Sequence, residues 1–317
     1  MIVGIEDVRA AAQRIAGQVR RTPTIAATGL QSGLPGGGDY ALTLKLELLQ
    51  VTGSFKARGA TNRLLALERT ALARGIVTAS GGNHGIAVAR AGAMAGVPTT
   101  VFLPANVSPA KLDKLKAWQA EIRIVGDAWH ESNEAALAFA RETGATYFHP
   151  FADPDVVAGQ GTLGLEILEQ LPEVDTILVA IGGGGLISGL ATAVKAVRPA
   201  VRVVGIEAAG SPSLLRSLEA GHNVGLDTVT TSVATMSCAR TDERIFATVR
   251  DTVDEIVLVD DEEMRAAAKW LWFEMGVAAD LSGAAALAAL HERRVVPAAG
   301  AKVCAIVCGA GPEAILS

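Results

Sequence analysis

The chain has 317 residues, 50% of them hydrophobic and 19% charged, which excludes a disordered protein, since disorder needs low hydrophobicity and high net charge. A formal net charge of −5, with no stretch dense in Lys and Arg, argues against a nucleic-acid or anionic-membrane partner. Three cysteines without a CxxC pair argue against a disulfide framework or a zinc site and fit a reducing cytoplasm. The length suggests about two domains, and the charged, alanine-rich first 21 residues lack the apolar core of a signal peptide. Ala10, Ala11, Ile15 and Val19 fit one face of an opening helix. Residues 42–48 alternate leucines with Thr43, Lys45 and Glu47, the pattern of a half-buried strand. A short strand over 76–79, a helix over 84–95 and a strand over 97–103 follow. Ser108-Pro109 reads as N-cap and first-turn proline of a helix. A strand over 122–125 and helices over 131–142 and 156–170 come next. The uncharged run 176–194 is long enough to raise a membrane span, but its glycines at 182–185 favour strand, loop and helix. The strand is read over 176–181 and the helix over 186–197. The remainder reads as a strand over 201–206, a helix opened by Ser211-Pro212, and a strand over 256–259. Helices over 261–275 and 284–291 and a strand over 303–307 close the chain.

Strand and helix alternate almost throughout, which predicts an α/β protein: open, mainly parallel sheets covered by helices on both faces. Such sheets place ligands in the loops that leave the carboxyl ends of strands. Three loops there could carry chemistry. Gly182, Gly183, Gly184 and Gly185, followed by Leu186, let backbone amides converge on an anion at a helix start. A tight turn would explain one glycine; four point to a phosphate. The second loop, Ser80-Gly81-Gly82-Asn83-His84-Gly85, suits either a structural cap or a carboxylate. The third holds Lys56, next to Phe55, in the segment 52–60. A lysine partly desolvated there has a lowered pKa and can attack a carbonyl to form a Schiff base. Phosphate cradle, carboxylate cradle and lysine together suit pyridoxal 5′-phosphate (PLP) and an amino-acid substrate. The spacing of G-x-G-x-x-G is not met, yet Glu207 ends the next strand where a ribose-binding acid would sit. A nicotinamide-dependent Rossmann oxidoreductase therefore stays open as an alternative.

Ser54-Phe55-Lys56-Ala57-Arg58-Gly59-Ala60 resembles the S-F-K-x-R-G-A motif of the serine/threonine dehydratase family, which are fold-type II PLP enzymes. The loop from Ser80, the glycine run, and His149-Pro150-Phe151 with Gly159-Gln160-Gly161-Thr162 are similar to further family stretches in the same order. The resemblance implies a tryptophan synthase β-like fold. A large PLP-binding domain would take residues 1–52 and 150–317 and a small domain residues 53–149. It implies that Lys56 forms the Schiff base and moves the α-proton, with Ser80 as a second catalytic residue. Phe55 would pack beside the ring, and Asn83 would bond its hydroxyl. Gly182 to Leu186 would hold the phosphate, and Cys308 would face the ring nitrogen. Ser80, Gly81, Asn83 and His84 would cradle the substrate carboxylate.

The activity so implied is β-elimination from L-threonine, L-serine or another 3-hydroxy amino acid, giving a 2-keto acid and ammonia, in a cytoplasmic homodimer. β-Replacement in the manner of cysteine synthases is the nearest alternative; a PLP-binding protein without turnover is another. Some departures bear on the substrate. The family's A-D-G falls near Val233-Ala234-Thr235, and its E-P-[ST]-G-A appears as Asp280-Leu281-Ser282-Gly283-Ala284. A metal site of some members uses Glu, a carbonyl four residues on and Asp six on. Here Glu207 is followed by Ser211 and Ser213, so no metal is expected. Serine racemases of the family carry a serine where this chain has Gly81, which predicts poor racemisation.

Overall fold

A computed structural model of the protein describes residues 1–312 apart from 106 and 108. The Ser108 half of the predicted helix start lies outside the described residues. The first part of the chain runs α1 (Ile5–Ile15), β1 (Thr24–Ala26) and β2 (Tyr40–Lys45). Two single 3₁₀ turns, Glu47–Leu49 and Val51–Gly53, lead into α2 (Lys56–Ala66) and α3 (Arg69–Leu72). A second group follows: β3 (Ile76–Ala79), α4 (Asn83–Ala95), β4 (Thr99–Leu103), α5 (Pro109–Ala117), β5 (Glu121–Ile124), α6 (Trp129–Thr143) and β6 (Thr146–Tyr147). The rest comprises α7 (Pro154–Gln170), β7 (Thr176–Ala180), α8 (Gly185–Val197), β8 (Arg202–Ala208), α9 (Ser213–Ala220), α10 (Glu243–Thr252), β9 (Glu255–Val259), α11 (Asp261–Met275), α12 (Leu281–His291) and β10 (Ala301–Ile306).

Six strands form one sheet in the order β1-β2-β10-β7-β8-β9, and four form another in the order β5-β4-β3-β6. All neighbours are parallel except β1 and β2. The α/β architecture read from the alternation is therefore the observed one. In the large sheet the chain leaves β7 toward β8 and returns on its other side as β10. The crevice beyond β7 and β10 is thus a switch point, where parallel sheets leave room for ligands. The small sheet has its own switch point, with β4 and β6 on either side of β3. The glycine run follows β7, Cys308 follows β10 and the Ser80 loop follows β3, so topology alone brings these loops to crevices. The run 176–194 becomes β7, the glycine loop and most of α8. Among the described residues no helix is long and apolar enough to cross a membrane.

Two expectations need correction. Residues 42–48 do not form one half-buried strand. β2 stops at Lys45, and Leu46 (φ −91°, ψ 67°) turns the chain into the first 3₁₀ turn. Lys45 and Glu47, which alternate like surface residues, are both 0% exposed. They belong to an internal ion network. Lys45 Nζ donates to Glu166 Oε1 at 2.5 Å and to Thr22 O at 2.7 Å. Arg58 reaches Glu47 by Nε at 2.8 Å and Nη2 at 2.7 Å, and Nη2 lies 3.0 Å from Glu166 Oε2. Two cations balance two carboxylates and tie β2, the first 3₁₀ turn, α2 and α7 together. Burial works against the Arg58 charge, but Glu47 and Glu166 outweigh it and keep the guanidinium protonated.

The second correction concerns Lys56. It is the first residue of a helix rather than part of a loop. The glycine within that helix is explained by α7. A Cβ on Gly59 would lie 2.7 Å from Val156 O, and one on Gly159 would lie 2.7 Å from Arg58 O. The helices approach backbone to backbone, and both positions must be glycine.

Candidate active site

The site starts at the N-terminus of α2. Phe55 N donates to Cys308 O at 3.2 Å, and Ser54 bridges to Gly309, so the exit of β10 holds the residue before Lys56. Lys56 Nζ donates to Pro150 O at 2.8 Å and stands 5.2 Å from the Phe55 ring centre. Burial pulls its pKa down to about 8, so near neutrality a usable fraction of the amine is unprotonated. Burial and the nearby Lys56 also lower two histidines. His149 falls to about 4, and His84 lies well below its ordinary range. His84 Nε2 lies 3.3 Å from Phe148 O. A carbonyl only accepts, so Nε2 carries the proton. The buried Nδ1 has no partner among the described residues and is an acceptor. His149 is fixed the other way: its Nδ1 accepts from Phe151 N and Ala152 N at 3.2 and 2.8 Å.

The glycine loop opens α8, with Gly184 (φ +88°) as N-cap. The amides of the first turn have no acceptor inside the helix and carry its positive end. Side chains are excluded for reasons of packing too. A Cβ on Gly183 would sit 2.3 Å from the Phe151 ring, one on Gly184 2.6 Å from Ile245 Cγ2, and one on Gly182 2.7 Å from Thr235 O. The glycine count therefore reflects crowding as well as anion binding; the free amides carry the argument for a phosphate. Thr241 Oγ1 donates to Gly183 O at 2.9 Å and steadies the loop, a contact no sequence motif announced.

Asn83 opens α4 behind Gly82, and Gly82 N donates to Ser80 Oγ at 3.3 Å. A second set of first-turn helix amides thus begins beside Ser80 and Gly81. A Cβ on Gly81 would meet Val107, at 3.1 Å from Cγ2, and Leu103, at 3.8 Å from Cδ2. Asn83 Nδ2 lies 3.0 Å from Asp280 Oδ2, and Cys308 Sγ lies 3.7 Å from Ser282 Oγ. The structure so brings the loops of Asn83 and Cys308 together through α12. Thr235 stands 3.9 Å from a Cβ on Gly82 and 2.7 Å, by its carbonyl, from one on Gly182. It bridges the Ser80 loop and the glycine loop.

The family model described as "Pyridoxal-phosphate dependent enzyme" matches residues 15–309. The chain belongs to this family. It is 40% identical over 304 residues to an L-threonine ammonia-lyase of Geobacter sulfurreducens, covering 95% of this chain and 74% of the relative. It is 39% identical to a serine racemase of Oryza sativa subsp. indica, covering 90% and 83%. The structure of maize serine racemase superposes with a TM-score of 0.91 at 35% identity, covering 98% of this chain and 94% of that one. PLP is thus the cofactor, and the donor set fits it: free helix amides for a phosphate, a buried amine for an aldehyde, and apolar Phe55 for a ring. The nicotinamide alternative loses its acid. Glu207 is 0% exposed and accepts from Leu214 N and Leu215 N at 2.9 Å each, as the cap of α9. Burial pushes its pKa up to about 7 despite those bonds.

Proposed function

We propose that the protein is an ammonia-lyase that uses PLP to remove the β-hydroxyl of a 3-hydroxy amino acid such as L-threonine or L-serine, yielding a 2-keto acid and ammonia. The observation that carries this reading is the buried Lys56 amine of lowered pKa, in a chain 40% identical to a threonine ammonia-lyase. When bound, PLP supplies an electron sink that makes the α-proton removable and lets the β-hydroxyl leave. Lys56 would bond the cofactor aldehyde and move the α-proton. The amides of residues 182–186 would hold the phosphate, Phe55 would flank the ring, and Asn83 and Cys308 would serve its oxygen and its nitrogen. Ser80, Gly81, Asn83 and His84 cradle the substrate carboxylate at the start of α4. His84 does so by its backbone, because its ring proton is held by Phe148 O. Ser80, the hydroxyl of that loop, is the second catalytic residue. The two sheets support a division into a large domain of residues 1–52 and 150–317 and a small one of residues 53–149. A homodimer in the cytoplasm completes the reading; Trp272 and Phe273, 42% and 81% exposed on α11, support a covered face.

The test is incubation of the purified yellow protein with L-threonine. Keto acid and ammonia are expected in equal amounts with no second nucleophile added. Product that keeps its amino group and appears only with an added thiol would favour β-replacement. Borohydride reduction should place the pyridoxyl label on Lys56, and a label on another lysine would refute that assignment.

The lowered Lys56 pKa predicts how the PLP-free protein takes up cofactor. The unprotonated amine is the reactive form, so the uptake rate should rise with pH and level off, with a midpoint near the buried value of about 8 rather than the free-lysine value of about 10.4. Absorbance recorded after mixing with PLP gives that midpoint; one above pH 10 would contradict the environment described for Lys56.

Racemisation needs a proton carrier on each face of the substrate. Gly81 has no side chain to act on the face opposite Lys56. A placed acid is worth about 10²–10⁴-fold, so the epimer of L-serine should form at least about 10²-fold more slowly than keto acid. Val107 needs to yield only a few tenths of an ångström to admit Gly81→Ser, which should raise the epimer yield. Chiral chromatography reads both products, and equal rates in the unmodified enzyme would sink the argument.

A further inference from the structure

We propose that Asp280 is a positioning residue that sets the hydrogen-bonding direction at both ends of the cofactor ring, by orienting the Asn83 amide and, through Ser282, the Cys308 thiol. The inference rests on the assignment of Asn83 and Cys308 to the ring oxygen and nitrogen made above.

A carboxylate accepts hydrogen bonds and donates none. Asp280 Oδ2 lies 3.0 Å from Asn83 Nδ2, so the amide must turn its nitrogen toward Asp280 and its carbonyl away. That nitrogen has two hydrogens. One goes to Asp280, and the second is a donor of fixed direction for an oxygen on the ring. Asp280 Oδ1 accepts from Ser282 Oγ at 2.7 Å and from Gly283 N at 2.6 Å. The single hydroxyl hydrogen of Ser282 is thereby committed. Toward Cys308 Sγ, 3.7 Å away, Ser282 Oγ can only accept. The Cys308 S–H therefore points to Ser282, and the sulfur would offer no proton to a ring nitrogen placed beside it. Burial and then the Asp280 charge raise the Cys308 pKa, which keeps the thiol neutral.

Asp280 itself is held rigidly. It is 7% exposed, it is the N-cap of α12, and its own N–H donates to Gly309 O at 3.0 Å. A Cβ on residue 309 would lie 2.4 Å from Asp280 Oδ2 and 3.0 Å from Asn83 Nδ2, so Gly309 is required for the junction to close. One carboxylate thus joins the starts of α4 and α12 to the exit of β10.

The test compares holoenzymes of the unmodified chain with D280N, D280E and S282A. Asp280→Asn keeps the shape but supplies a donor, so both the Asn83 amide and the Ser282 hydroxyl lose their enforced directions. D280N should retain PLP on Lys56 by borohydride labelling. Its visible absorption band should move, and the pH midpoint of that band should shift by about one unit or more, as a change of neighbouring charge produces. Its PLP affinity should fall by about tenfold or more. Asp280→Glu restores an acceptor-only group and should return band and midpoint toward those of the unmodified enzyme. Ser282→Ala breaks only the thiol arm and keeps the Asn83 arm, so it should shift the band without the loss of affinity, and it serves if D280N does not fold. A helix cap and nothing more would leave band and midpoint in place in D280N, because asparagine caps about as well as aspartate. Unmoved spectra in the variants, with the label still on Lys56, would overturn the inference alone. An unmodified protein without PLP, or labelled on another lysine, would overturn the functional reading and the inference with it.

Discussion

Replacing Lys56 with alanine is expected to abolish keto-acid formation from L-threonine while leaving the protein folded and, when both are compared without PLP, no less stable at neutral pH. Loss of the proton carrier alone is worth about 10²–10⁴ in rate, or about 3–5 kcal/mol of barrier; loss of the covalent anchor adds to this. The stability half follows from the pKa. Burial lowers Lys56 to about 8, whereas an unfolded lysine titrates near 10.4. Between those values the unfolded chain binds more protons, so stability rises with pH. The penalty for burying the ammonium is thus fully present below pH 8 and lifts as pH passes 10. Alanine removes it, against the loss of one bond to Pro150 O. Thermal melts of the PLP-free proteins at pH 7 and pH 10 should show the advantage of the variant shrinking at the higher pH. Turnover within tenfold of the unmodified enzyme would refute the role of Lys56.

Arg58→Met should be the most destabilising single change near the site. It leaves Glu47 and Glu166 facing one cation, Lys45, in a network whose members Lys45, Glu47 and Arg58 are at most 2% exposed. Removing one partner from a buried ionic cluster costs about 3–5 kcal/mol. Lysine should not rescue it, because a point charge cannot meet Glu47 through two nitrogens and reach Glu166 as well. The pH dependence has a definite sign. Burial raises the Glu166 pKa, but Arg58 and Lys45 outweigh it and hold the carboxyl below its ordinary range. A lowered carboxylate pKa contributes stability above the unfolded value, and that contribution is lost as pH falls through the folded one. The gap between the two proteins should therefore be widest near neutrality and narrow in acid. Urea unfolding at pH 7 and at pH 4 measures it, and a gap that widens in acid would contradict the pairing described.

What could be read from the sequence was local. The glycine run, the Ser80 loop and the alternation of strand and helix are each confined to a few neighbouring residues, and each resolves into the predicted kind of element. What could not be read depends on partners far along the chain. Asp280 meets Asn83 across 197 positions, and Arg58 meets Thr162 across 104. Lys45 and Glu47 looked like the wet side of a strand because alternation cannot report that helices cover both faces. The start of α2 at Lys56 is not legible locally, because Gly59 lowers helical propensity and its reason, the close approach of α7, lies about 100 residues on. α10 escaped notice because Ile245, Thr248, Val249 and Thr252 are β-branched and depress helical propensity.

The strand order bears on the sequence of events during synthesis. All four strands of the small sheet come from residues 76–147, so it can assemble from contiguous chain. The large sheet cannot. β10 lies in its interior, pairing Val303 with Leu42 on one side and with Thr176 on the other. Until residue 306 has cleared the ribosome, β1 and β2 have no strand pairing to β7, β8 and β9, and both halves present open edges. Such non-local pairing slows folding and leaves unpaired strands exposed to aggregation. A nascent chain arrested before β10 should hold a protease-resistant small sheet beside a labile remainder, with affinity for cofactor arriving only in the last step.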